Sequence, residues 1–148
     1  MFEFLKWQAR DVMSDPVSVD AGTTLADVEK LLEGHGFNSV PVVDGSGMLI
    51  GLVSSLDLLK AFAFDDESIL PPYDSIMRVT VARVMTLEPS TVMPRTPLTR
   101  VLEKMVDTRN RSFPVIDDNR LVGVVSRRDV MAALRRADAG ESSPTPAD

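Results

Sequence analysis

The chain has 148 residues, 44% hydrophobic and 26% charged, with a net charge of −6 and no cysteine. That length holds one compact domain or two small ones sharing a core, and the composition is ordinary for a folded globular protein. The missing thiols exclude disulfides, thiolate nucleophiles and thiolate metal sites, the acidic total argues against nucleic-acid binding, and no apolar run approaches the roughly 20 residues of a membrane span.

Residues 1–9 are the first expected element, a helical segment with Phe2, Leu5 and Trp7 on a rough stripe suited to packing. Glu3 and Lys6 carry opposite charges, so the segment has no basic face for a membrane surface. No basic region leads into an apolar core as in a secretory signal, which makes the cytoplasm the default compartment. Val12-Met13 runs to Pro16, which extends the residue before it, and Val17-Ser18-Val19 reads as a short strand. Thr24 and Asp27 form a capping-box pattern ahead of Val28, Leu31 and Leu32 at helical spacing, with Gly34 closing the helix. His35, the only histidine, then falls in a loop between Gly34 and Gly36, with no partners spaced for a metal site or a catalytic dyad.

Two strands follow, Ser39-Val40-Pro41-Val42-Val43 and Leu49 to Val53, joined by the turn Asp44-Gly45-Ser46-Gly47. The second strand runs into Ser54-Ser55-Leu56-Asp57 and a helix beginning near Asp57, whose apolar face ends at Phe62 and Phe64. Residues 65–81 are a connection in which Asp65-Asp66-Glu67 and Pro71-Pro72 break that helix. A short helix is expected around Ser75 to Val79, and the length of the connection leaves a lid open as an alternative.

The pattern then repeats. Val84-Met85 answers Val12-Met13, and Thr96 caps a helix with Pro97 at its first position and Leu98, Val101, Leu102 and Met105 as its buried stripe. Ser112-Phe113-Pro114-Val115-Ile116-Asp117 answers the Pro-Val strand, and Asp117-Asp118-Asn119-Arg120 is the turn. Leu121-Val122-Gly123-Val124-Val125-Ser126-Arg127-Arg128-Asp129-Val130-Met131 answers Leu49-Ile50-Gly51-Leu52-Val53-Ser54-Ser55-Leu56-Asp57-Leu58-Leu59. The copies occupy residues 10–64 and 82–136, and the Ala/Gly/Ser/Pro/Thr-rich residues 137–148 read as a disordered tail.

Each Ser-x-x-Asp corner has two readings. The serine hydroxyl and the aspartate cap a helix start, or the helix amides, hydroxyl and carboxylate together receive the phosphate and ribose of a nucleotide. Each half reads strand, helix, strand, turn, strand, helix, an α+β unit too small to bury its own three-stranded sheet, so sheet-on-sheet packing about a pseudo-twofold is expected, with two clefts.

On the Val-Met openings, the Pro-Val-Val/Ile-Asp strands and the duplicated Gly-x-Val-Ser-x-x-Asp corners, the chain resembles a tandem pair of CBS domains, a Bateman module, over roughly residues 10 to 134. The resemblance implies two β-α-β-β-α repeats and contacts to adenosine nucleotides from Ser54, Asp57, Ser126 and Asp129. The second cleft would take Val92, Arg111, Ser112, Phe113, Pro114, Ser126, Arg127 and Asp129; the first would take Val19, Asn38, Ser39, Val40, Pro41, Ser54 and Asp57. Both corners carry serine where the family commonly has threonine, which keeps the donor and loses a methyl.

Charge favours the second cleft. Residues 1–74 carry 4 Lys/Arg against 13 Asp/Glu, net −9, and residues 75–148 carry 12 against 9, net +3. Arg127 and Arg128 replace Ser55 and Leu56, and Arg109 and Arg111 replace Gly36 and Asn38, while Phe113 either walls an adenine or fills core. The expectation is a sensor that binds AMP, ADP, ATP or S-adenosylmethionine, requires no cofactor or metal, performs no catalysis, and acts on an unidentified effector protein. A homodimer is usual for modules of this kind, and Leu58, Leu59, Val130 and Met131 supply apolar helix faces that suit either a partner subunit or the internal core. The alternative is a ligand-free dimerisation scaffold; an enzyme would need a base, nucleophile or metal cluster, and single-strand nucleic-acid binding would need more than one Trp and one Tyr.

Overall fold

The structure, a computed structural model, describes residues 1–63 and 72–146. Phe64, the Asp65-Asp66-Glu67 run and Pro71 lie outside the described residues, and with them the choice between lid and connector. After a 3-10 turn at Phe2–Lys6 come α1 (Ala9–Val12), α2 (Leu25–His35), β1 (Ser39–Val43), β2 (Leu49–Ser54), α3 (Ser55–Ala63) and α4 (Tyr73–Met77). A second 3-10 turn at Val81–Arg83 leads to α5 (Leu98–Thr108), β3 (Ser112–Asp117), β4 (Arg120–Ser126) and α6 (Arg127–Asp138). None of the described helices is long and apolar enough to cross a membrane.

The chain divides into two compact units, Val17–Pro89 and a discontinuous one of Met1–Pro16 with Ser90–Asp148. The sequence repeats and the compact units differ in phase because each Val-Met opening docks on the other repeat's hairpin. In the first unit Leu52 and Thr86 exchange backbone bonds of 3.0 and 2.8 Å; in the second, Ser14 and Val124 exchange bonds of 2.9 and 3.0 Å. The methionines need a glycine opposite. A Cβ on Gly51 would stand 2.7 Å from Met85 Sδ, and one on Gly123 2.6 Å from Met13 Sδ. This close approach is why a strand interior tolerates glycine in both copies.

Each unit has one two-stranded antiparallel sheet, β1 with β2 and β3 with β4. The expected third strand is reduced to a single parallel bridge, Val19 to Val42 and Val92 to Val115. The prolines explain the reduction. Val19 N–H donates to Pro41 O at 3.0 Å and Val43 N–H to Val19 O at 2.9 Å, so the next rung would require an N–H from Pro41, which has none; Pro114 interrupts the Val92 bridge in the same way. The β3–β4 turn puts Asp118 and Asn119 at φ 54° and 65°, as a two-residue hairpin demands. In the first hairpin Asp44 Oδ1 accepts from Ser46 N at 2.9 Å and Met48 N at 3.0 Å.

Five local expectations differ from the structure. Phe4 and Trp7 are the buried aromatics of the N-terminal segment, with rings 6.5 Å apart, whereas Phe2 and Leu5 are exposed; a 3-10 turn stacks residues three apart. The α2 helix runs to His35 and ends on Gly36 at φ 68°, so His35 is helical and stacks on Phe37 at 4.9 Å. Pro97, not Thr96, is the N-cap of α5, because the Thr96 hydroxyl turns back to accept from Met93 N at 2.9 Å. The short helix of the connection is Tyr73–Met77, set two residues earlier than expected by Pro72 as its N-cap. Beyond α6, where a disordered tail is expected, Arg136 Nε donates to Ser143 O at 2.9 Å and pairs with Glu141.

Each unit has its own apolar core. Leu25, Val28, Val40, Val42, Val53 and Val81 centre the first; Leu98, Val101, Phe113, Val115 and Val125 centre the second, with Phe4 and Trp7 packed in. Burying a Val, Leu or Phe side chain contributes about 1.5–3 kcal/mol, so these faces hold α2 and α5 on their hairpins.

Candidate functional site

In each unit a strand ends on a serine that starts the next helix. At the first corner Asp57 N–H donates to Ser54 Oγ at 3.2 Å and Ser54 N–H to Asp57 Oδ2 at 2.9 Å. At the second, Asp129 N–H donates to Ser126 Oγ at 3.2 Å and Ser126 N–H to Asp129 Oδ2 at 2.8 Å. These are reciprocal capping boxes, each satisfying two otherwise orphaned amides with a carboxylate at the positive helix end. One bond separates the corners: Ser54 Oγ also donates to Asp57 Oδ2 at 3.0 Å, which commits its proton.

The strand start is tied to the helix start in the same way twice. Ser55 N–H donates to Asn38 O and Arg127 N–H to Arg111 O, both at 2.9 Å, while Ser39 pairs with Ser54 and Ser112 with Ser126. Thus Asn38, Ser39, Ser54 and Asp57 come together, as do Arg111, Ser112, Ser126, Arg127 and Asp129. Val19, Val40, Val92 and Phe113 are buried in the apolar cores, and Pro41 and Pro114 are buried in their strands. Phe113 lies beneath Lys104, whose Nζ stands 5.3 Å from the ring centroid and donates to Thr91 O. Phe113 therefore fills core within its own unit.

The second corner is rich in arginine, but its best-placed guanidinium is occupied. Arg127 Nη2 donates to Arg109 O at 2.6 Å and Nε to Asn110 O at 3.2 Å, closing the end of α5. Arg109, Arg111 and Arg128 are exposed and, among the described residues, have no carboxylate within ion-pairing distance. Beside Arg127 a groove of about 340 Å³ is lined by Leu102, Met105, Val106, Arg109, Val130, Met131 and Leu134, an apolar face between α5 and α6.

The first corner opens on a different space. A cleft of about 310 Å³ is lined by Asp57, Lys60, Ala61, Arg83 and Val84. Asp57 is only 7% exposed, and Oδ2 accepts both of its bonds from Ser54. The residue-by-residue reading missed Lys60 and Arg83. Aligning the two copies reveals them, since Lys60 of the first copy stands where the second has Ala132, and Arg83 of the second stands where the first has Asp11.

The description "CBS domain" fits residues 9–64 and 81–136. An L-aspartate semialdehyde sulfurtransferase of Methanocaldococcus jannaschii is 28% identical over 123 residues, covering 82% of this chain; the chain spans 22% of that relative's length. CBSX2, solved in complex with AMP, is 26% identical with a TM-score of 0.77, covering 89% of this chain and 98% of that one. The CBS domain pair of protein MJ0100, solved with 5'-methylthioadenosine and S-adenosyl-L-methionine, is 27% identical with a TM-score of 0.70, covering 90% and 97%.

Proposed function

The chain belongs to the CBS domain family, and on that premise we propose that it is a regulatory module that binds an adenosine nucleotide of the AMP, ADP or ATP class and performs no catalysis. The observation that carries this reading is the pair of serine-capped corners, each with amides, a hydroxyl and a carboxylate at a helix N-terminus, in a chain whose neighbour CBSX2 was solved with AMP. Ser54, Asp57, Ser126 and Asp129 are the direct contacts, with Asn38, Ser39, Arg111 and Ser112 beside them. S-adenosylmethionine is the second ligand class, supported by the MJ0100 pair. The signal passes to an unidentified effector, and self-association through exposed Leu59, Val106 and Met131 belongs to the same reading.

Titration calorimetry and thermal shift with AMP, ADP, ATP and S-adenosylmethionine test it. A ligand at 100 times its Kd stabilises the fold by about 2.7 kcal/mol. No response to any of them at millimolar concentration ends the reading. A ligand-free scaffold is the second reading, favoured by the capping boxes being complete without a guest; it requires Asp129→Ala to lower Tm with no binding to lose.

A further inference from the structure

We propose that the cleft beside Asp57 holds the anionic group of the ligand between Lys60 and Arg83, so that the first corner selects phosphorylated adenosyl compounds over uncharged or cationic ones. This deepens the nucleotide-binding reading above and rests on it for the adenosyl part only.

Three observations converge. Asp57, Lys60 and Ala61 are spaced i, i+3, i+4 on α3 and therefore share a face, and Arg83 and Val84 complete the same cleft of about 310 Å³. Among the described residues neither Lys60 nor Arg83 has a carboxylate within 4.0 Å, so two cations line one cleft without a direct ion pair. Asp57 is more than nine-tenths buried, and its Oδ1 accepts no bond among the described residues. Asp57 lines the cleft, so this second oxygen is an acceptor that a donor entering the cleft can use.

The cleft therefore presents one acceptor and two cations, complementary to a molecule carrying both hydroxyl donors and an anion. A sugar phosphate has that pairing. S-adenosylmethionine has the same hydroxyls and a carboxylate, but its sulfonium and ammonium outweigh that one negative charge, so a pair of cations disfavours it on balance. The other compact unit has Ala132 and Asp11 at the equivalent positions, and Asp11 Oδ2 is already taken by Gln8 N–H at 2.8 Å. The charge pair is specific to the first corner.

The full chain is titrated by calorimetry with AMP, adenosine, S-adenosylmethionine and inorganic pyrophosphate, alongside Lys60→Gln, Arg83→Gln, their double variant and Arg128→Gln as a control. Losing charge-assisted hydrogen bonds of about 1.5–3 kcal/mol corresponds to roughly 10- to 100-fold weaker AMP binding in the double variant. Adenosine binding should not change, and Arg128→Gln should leave AMP binding at this corner as it was. Both substituted side chains are exposed, so the variants retain the fold, which their Tm verifies. Amide shifts on adding pyrophosphate should appear at Ala61 and Val84. If AMP binds the double variant as tightly as the parent, the charge pair is refuted while the nucleotide reading stands. If no adenosyl compound binds the parent but pyrophosphate still moves Ala61 and Val84 in a Lys60- and Arg83-dependent way, the nucleotide reading falls and the anion site stands. Pyrophosphate shifts confined to residues 126–129, or absent altogether, refute the anion site.

Discussion

At the first corner Asp57 is almost wholly enclosed, takes the Ser54 hydroxyl proton and adjoins a polar cleft with Lys60 and Arg83. At the second, Asp129 is half-buried, Arg127 is spent on two carbonyls of the α5 terminus, and the neighbouring groove is apolar. The backbone is the same in both, down to the 2.9 Å link from the helix start to the residue before the strand. The comparison teaches that a Ser-x-x-Asp corner is first a capping device. Its binding character is set by residues outside the motif.

The largest effect is expected at the glycines under the methionines. Gly51→Ala and Gly123→Ala should each lower unfolding free energy by about 1–3 kcal/mol, as overpacking does, measured by urea denaturation. Once the flexible ends of the methionines are removed, Gly51 still faces the Thr86 carbonyl at 3.1 Å and Gly123 still faces the Met13 Cβ at 3.1 Å. Met85→Ala and Met13→Ala backgrounds should therefore each relieve the matching glycine substitution in part and to a similar degree. Relief at one glycine alone would show that the two openings are docked differently.

Next come the caps. Asp57→Ala should cost about 1–2 kcal/mol and Asp129→Ala about 0.5–1, because Asp57 is the more enclosed and holds one bond more. The reverse order in chemical denaturation would remove burial as the distinction between the corners.

A smaller effect separates the loops before the strands. Arg109 occupies the left-handed region at φ 62°, where the first copy has Gly36 at φ 68°. Arg109→Gly should stabilise the fold by about 0.5–1 kcal/mol, and Gly36→Ala should destabilise it by a similar amount. Tm shifts of the same sign for both would contradict this.

The mildest test concerns α4, which has no equivalent after α6 among the described residues. Tyr73, the only tyrosine, donates to Glu29 Oε2 at 3.1 Å, and that bond, followed by the Glu29 charge, raises its pKa. Absorbance titration should give a midpoint above the ordinary value of about 10, and Glu29→Gln should bring it down. Because the folded-state value is the higher one, the contact stabilises below the unfolded pKa and is lost as pH rises through the folded one. An unshifted midpoint would show that α4 is not clipped to α2.

Much of the architecture is legible in the chain alone. The duplicated Gly-x-Val-Ser-x-x-Asp segment, the Pro-Val strands and the Val-Met openings define two α+β units and locate both corners, because capping, turn chemistry and strand alternation act over a few residues and leave their marks in local order. Less legible was what required a partner distant in sequence. Nothing near Met13 announces that it fills the space opposite Gly123, and nothing near Arg83 announces that it shares a cleft with Lys60. Arginine counts favoured the second corner because composition registers charge but not its commitments, such as Arg127 bonded to the carbonyls of residues 109 and 110. Local sequence determined where each helix begins and which serine and aspartate begin it; the tertiary structure alone decided which carboxylate is enclosed, which cations stay unpaired and which glycine a methionine requires, since those depend on distances between segments that the chain order does not encode.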